Sequence, residues 1–217
     1  MKKTLISIVL IVSLLSTALF SVVFAAYSVQ DSGTVTATVS GFGVTVDVVA
    51  ATAATDIQLK PQATGTLISV TSTGTPSVAA NLSYASTVTL SDWMIDTDAD
   101  GQKDDFYCPI IFTITKTNPA GGEAIVTTID GTDKTGENPT YADADALASA
   151  IKTAIDTSAP LTAGNSVDGK YNVTVSWNWA GANSSKAFDS ALSARTAENP
   201  AVTPQIIIQV DAAIEQQ

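Results

Sequence analysis

Histidine is absent from this chain of 217 residues. Neither a Ser-His-Asp triad, a Cys-His pair nor an HExxH zinc helix can therefore be assembled from it. Glycoside hydrolysis would need only paired carboxylates, but the acidic residues cluster in turns and the glutamates are Glu123, Glu137, Glu198 and Glu215 alone. No catalytic residue is assigned, and the chain is expected not to be an enzyme. Cysteine is nearly absent as well: Cys108 stands alone, which rules out an internal disulfide and leaves packing, ions or assembly to stabilise the fold. It lies between Tyr107 and Pro109 at the head of the apolar run Ile110-Ile111-Phe112. A buried small hydrophobe is the plain expectation there, and an intermolecular bridge is the alternative. Charge is scarce at 14%, and what there is runs acidic. Without Lys2 and Lys3, 8 basic residues face 21 acidic ones, a net charge of about −13. That balance argues against nucleic acid or an anionic membrane surface as partner and in favour of cations.

What is present begins with an export signal. Lys2 and Lys3 form its basic start, an apolar run follows from Leu5 to Phe24, and Val23-Phe24-Ala25 before Ala26 is a small-residue cleavage pattern. Residues 1–25 are read as a signal peptide. The run is also long enough to serve as a membrane anchor if left uncut. The remaining 190 or so residues suit one core rather than several domains.

Abundant Thr, Ser, Ala and Val in alternating patterns predict an extracellular, mostly β protein. In Val29–Ser40, Val35, Ala37 and Val39 share one face; Gly41-Phe42-Gly43 breaks the strand, and Val44, Val46 and Val48 resume it. Further strands are expected at 66–73, 79–84, 86–93, 109–117, 123–130, 172–179 and 204–214, with 109–117 and 123–130 forming a hairpin. Leu147, Ile151 and Ile155 recur at steps of four and predict one amphipathic helix within 141–156. The resulting fold class is a jelly-roll-type β-sandwich with one short helix and an N-terminal extension strand. Its organisation is a signal at 1–25, an N-terminal strand and flexible hinge at 26–43, and a sandwich domain at 44–217.

The sharpest chemical motif is DxDxDGxxD, from Asp96 through Asp98 and Asp100 to Asp104. Carboxylates at alternate positions can converge on a hard cation, Gly101 allows the turn between them, and a carbonyl near Gln102 completes the shell. The glutamate at loop position twelve of an EF-hand is missing, because Tyr107 stands there. Five carboxylates within ten residues repel one another, so a structural calcium ion (Ca2+) is expected at Asp96, Asp98, Asp100, Gln102 and Asp104, with a solvated acidic turn as the alternative. Asn81, Asn172 and Asn183 begin N-glycosylation sequons, with Asn172 and Asn183 expected to be the better acceptors. Trp93, Trp177 and Trp179 could form a sugar-stacking platform, although the last two share one strand face, where core is the more usual role.

An export signal, Ala26-Tyr27-Ser28 with Asp31, the pair Trp177-Asn178-Trp179, the element Asp189-Ser190-Ala191-Leu192 and an apolar last strand from Gln205 to Ala212 occur here in that order. Together they resemble the TasA/camelysin family of biofilm-matrix fibre proteins, including the archaeal bundling pilins similar to TasA. The pattern departs from the family in Ala180-Gly181 after the Trp pair, in Ala194, and in the acidic loop. The resemblance implies a secreted subunit that polymerises by donor-strand complementation, its N-terminal strand (Val29, Val35, Ala37, Val39) filling a groove in the next copy. A head-to-tail homopolymer of this kind forms filaments at the cell surface or in a biofilm matrix, which then bundle laterally. No small-molecule substrate is expected. The alternatives are that this strand pairs within its own chain, that the protein is a monomeric surface or carbohydrate-binding module, and that it is a secreted protease.

Overall fold

The computed structural model of the chain describes residues 37–50, 64–96, 101–103, 105–132, 141–180, 189–190, 192 and 204–217. In chain order its elements are β1 (Ala37–Gly41), β2 (Val44–Ala50), β3 (Thr64–Gly74), β4 (Ala80–Ser91), β5 (Met94–Ile95), β6 (Asp105–Phe106), β7 (Ile110–Lys116) and β8 (Ile125–Asp130). A helix, α1 (Ala144–Ile155), is followed by β9 (Thr157–Leu161), β10 (Val173–Trp179) and β11 (Gln205–Gln216).

Alternation builds the two layers. Val44, Val46 and Val48 on β2, Ile110, Phe112 and Ile114 on β7, and Val173, Val175, Trp177 and Trp179 on β10 are all buried, and their odd-numbered or even-numbered neighbours face out. These strands belong to a six-stranded sheet in the order β1-β2-β3-β10-β7-β8. Leu82 and Tyr84 on β4 and Ile206 and Val210 on β11 meet them from a three-stranded sheet, β11-β4-β9, in one continuous core. Among the described residues every strand pair is antiparallel. The architecture is a β-sandwich of unequal sheets; the pairings establish the sandwich without establishing a jelly-roll winding.

The helix forms where the Leu147/Ile151/Ile155 spacing places it. Asp143 caps its start, accepting from Ala146 N at 2.8 Å, and Leu147, Ala148, Ile151 and Ile155 are buried against the smaller sheet's β4 and the ends of β7 and β8. Asp156 then joins helix to sheet. β9 pairs with β4 only as far as Thr157 opposite Tyr84, and beyond that point the Asp156 carboxylate takes over the ladder, accepting from Ser86 N and Ser86 Oγ, both at 2.7 Å. It also pairs with Lys152 one turn back in the helix. Partial burial works to raise the Asp156 pKa, but the hydrogen bonds from Lys152 and Ser86 outweigh it and hold the carboxyl below its ordinary value.

Asp156→Ala takes the acceptor from the buried Ser86 N and leaves Ser86 Oγ only its longer bond to the Lys152 carbonyl, 3.4 Å, and is expected to cost about 1–3 kcal/mol in urea unfolding at neutral pH. Because the folded pKa is depressed, this contribution is present above the unfolded carboxyl value and is lost as pH falls through the folded one. The gap between wild type and Asp156→Ala should therefore narrow on acidification below about pH 4. An unchanged gap at pH 7 and pH 3 would rule the latch out.

Two expected boundaries change. The strands expected at 79–84 and 86–93 are one continuous strand, β4, since Ala85 simply points outward between buried Tyr84 and Ser86. The flexible hinge Gly41-Phe42-Gly43 is a two-residue hairpin turn, with Gly41 opposite Val44. Phe42 and Gly43 have φ of 55° and 84°, the pair of left-handed conformations that a tight antiparallel hairpin needs. The turn is also tied down: Ser77 N donates to the Phe42 carbonyl at 2.8 Å, and Thr75 N to the Gly43 carbonyl at 3.0 Å. A Cβ on Gly43 would stand 2.5 Å from the Thr75 carbonyl oxygen, so glycine is required there by space as well as by φ.

Candidate functional site

Most of the residues singled out in the sequence fall in three regions. The first is the N-terminal strand. Val29 and Val35 lie outside the described residues, whereas Ala37 and Val39 are in β1, where their backbones pair with Val48 and Val46 of β2. The described part of the expected donor strand is thus held in its own chain as an edge strand, and it also lies against β11 of the other sheet.

The second region is the acidic loop. β5 and β6 form a two-stranded ribbon, Met94 opposite Phe106 and Ile95 opposite Asp105, which brings the two ends of the loop together. The ribbon is anchored by Trp93, whose carbonyl accepts from Tyr107 N at 3.0 Å and whose Nε1 donates to the Gln205 carbonyl at 2.9 Å. Gly101 makes the sharp turn expected of it, at φ 89°, and its N–H donates to Asp96 Oδ2 at 2.9 Å. Asp98, Asp100 and Asp104 lie outside the described residues, so of the five expected ligands only Asp96 and Gln102 have a place in the structure. Among the described residues no three acidic or thiol side chains converge on one point.

The third region comprises the sequons. Asn81 is exposed on β4, its Oδ1 accepting from Gln217 Nε2 at 2.7 Å. Asn172 is half-buried at the start of β10, and its Oδ1 is taken by Ser72 N at 3.1 Å. The expected preference is therefore reversed for this pair: Asn81 is the more accessible acceptor, because Asn172 sits between β3 and β7 rather than on an open face. Asn183 lies outside the described residues.

The tryptophans are core. Trp93, Trp177 and Trp179 are 1%, 2% and 5% exposed, so no ring face is available for a sugar to stack on. Trp177 crosses over Gly65 so closely that a Cβ there would stand 2.7 Å from its Nε1. The Asp189-Ser190-Ala191-Leu192 element is also tied into the fold: Asp189 Oδ1 accepts from Tyr107 Oη at 2.7 Å, and Leu192 is fully buried. Cys108 is fully buried too, and burial pushes its thiol pKa up, which leaves it a small hydrophobe rather than a nucleophile or an accessible bridging thiol.

Sequence reasoning misses one feature. A cleft of about 300 Å³ opens at the end of the sandwich between β9 and the β7–β8 hairpin, lined by Lys116, Pro119, Ile125, Ala159, Tyr171 and Val173 among others. Lys116 does not reach freely into it: Nζ donates to the Asp156 carbonyl at 2.7 Å, and burial lowers its pKa against the opposing pull of the Asp156 charge. The signal for this cleft is the apolar pair Ile125-Val126, which resembles ordinary strand content but is 53% and 58% exposed in the fold. No protein-family model, curated protein or solved structure matches the chain.

Proposed function

We propose that the chain is a secreted structural subunit of extracellular filaments, bundling pili or biofilm-matrix fibres, in which an N-terminal strand of one copy completes the β-structure of the next. The observation that carries this reading is the position of β1. Among the described residues it is an edge strand, so the β-patterned residues 27–36 lead in sequence to one border of the six-stranded sheet, where a strand can pass from one copy to another. The contact is head to tail and does not close, so it propagates into a filament. The protein performs no chemistry and binds neither nucleic acid nor a small-molecule substrate. Bundling takes place outside the cell and is promoted by divalent cations, which screen the repulsion between acidic filaments. Asn81 is the glycan acceptor where the host has the machinery. Burial of all three tryptophans weighs against the monomeric carbohydrate-binding reading.

Negative-stain electron microscopy of residues 26–217 tests the proposal: uniform thin filaments that gather into bundles on adding calcium are expected, and a persistently monomeric particle would overturn it. Calcium at the acidic loop has its own readout. For a site of about 10⁻⁴ M, of the strength found in extracellular modules, about 10 mM calcium stabilises the fold by about 2.7 kcal/mol. That corresponds to an upward shift of roughly 5–10 °C in the unfolding midpoint. Chelator should reverse the shift and Asp98→Asn should abolish it; an unmoved midpoint would remove calcium from the account while leaving the filament.

A further inference from the structure

Among the described residues four strands border the two sheets, and they are not equally protected. β9 carries Pro160, which offers no N–H to a newcomer. β11 and β1 lie against each other at one side of the sandwich, and β11 presents Asp211 and Glu215. β8, at the opposite border of the six-stranded sheet from β1, has none of the usual defences. Its sequence IVTTID contains no proline, glycine or lysine, its register with β7 runs without a bulge, and no strand pairs with its other edge among the described residues. Its one charge, Asp130, is turned back onto its own turn, accepting from Thr132 N and Oγ1 at 2.9 and 2.6 Å.

Adjacent residues in a strand point to opposite faces, so exposure of both Ile125 and Val126 means that neither layer covers this end of β8. The 300 Å³ cleft opens beside it, with Ile125 in its wall. The backbone direction of β8 follows from its end: Gly131 N donates to the Ile110 carbonyl at 2.9 Å. Antiparallel ladders alternate, so Ile129, Thr127 and Ile125 bond inward to β7, while Val126, Thr128 and Asp130 present N–H and C=O to the open edge.

We infer that this edge is the acceptor: residues 27–36 of one copy add antiparallel to β8 of the next. This rests on the filament reading and gives it a location. Ten residues of extended chain span about 33 Å, enough to cover the six residues of β8, about 20 Å, and still connect to β1 of their own copy. The donor enters from the β1 border and the acceptor lies on the β8 border of the same sheet, so each junction joins opposite edges and the sheet continues from copy to copy. In the antiparallel sense the end of the donor nearest β1, which holds Val35, comes toward Ile125 and Val126, where the apolar surface and the cleft are.

Val126→Lys adds a charge at a position already more than half exposed, and Thr128→Pro removes one outward N–H without touching the β7 ladder. Both variants, made in the chain of residues 26–217, should keep the wild-type unfolding midpoint while lowering the sedimentable polymer by roughly tenfold or more. Asn81→Lys, which adds the same positive charge on the other sheet, should polymerise normally. A Val35→Cys copy mixed with a Val126→Cys copy should form an intermolecular disulfide, the native thiol being buried. Wild-type filaments together with normal polymerisation of Val126→Lys, or with no cross-link in the mixed copies, would place the acceptor elsewhere and leave the filament reading standing. No filaments from the wild type would overturn both.

Discussion

Trp93→Ala is expected to cost about 3–5 kcal/mol of unfolding free energy, the range for deleting a fully buried large side chain. Two separate losses are concentrated at this residue. Its ring is 1% exposed, so truncation opens a cavity in a core that continues through both sheets. Its Nε1 holds the Gln205 carbonyl at 2.9 Å at the point where β11 begins its twelve-residue pairing with β4. The Trp93 main-chain carbonyl, which alanine keeps, still accepts from Tyr107 N, so the start of the β5–β6 ribbon that closes the acidic loop retains that bond. Trp93→Phe separates the contributions: most of the ring volume stays while the indole hydrogen bond goes, and a loss of about 1–2 kcal/mol is expected. Urea unfolding followed by far-ultraviolet circular dichroism measures both. A Trp93→Ala loss under about 1 kcal/mol would mean that the side chain is not the anchor its burial indicates.

Trp93 also illustrates what can be read from the sequence and what cannot. Its aromatic bulk is visible there, but its role depends on Gln205, a partner 112 residues away. The sandwich itself is legible because its signal is local: valines at 44, 46 and 48 and tryptophans at 177 and 179 alternate as half-buried strands must, and the four-residue recurrence of Leu147, Ile151 and Ile155 marks the helix. β9 escapes a local reading because TSAPL is short, contains a proline and borrows its register from β4. The hairpin at 42–43 looks like a hinge in sequence because phenylalanine is not a residue that a left-handed turn position selects, and only the surrounding bonds to Ser77 and Thr75 hold it there. The openness of β8 is invisible for a related reason. An Ile-Val pair reads as core in any local window, and only the relative extents of the two sheets leave it uncovered.

Removing residues 26–36 from the mature chain is expected to abolish polymers and leave a folded monomer. The choice of end point decides what the deletion means. Residues 37–41 pair with β2 and lie against β11, so a deletion that continued through Ser40 would also strip an edge from the six-stranded sheet and bare β2. Loss of filaments would then be ambiguous between a missing donor and a damaged subunit. Stopping at Thr36 keeps the Ala37–Val48 and Val39–Val46 pairings and the Phe42-Gly43 turn, so the unfolding midpoint should stay at the wild-type value. The same deletion decides between two ways of linking copies. If residues 27–36 are the donor, as addition to the exposed β8 edge requires, the shortened chain has nothing to pass on and sedimentation gives a single monomer boundary. If copies instead exchange β1 itself, the shortened chain still carries its donor, filaments persist, and the acceptor is the seat between β2 and β11 that β1 occupies in its own chain.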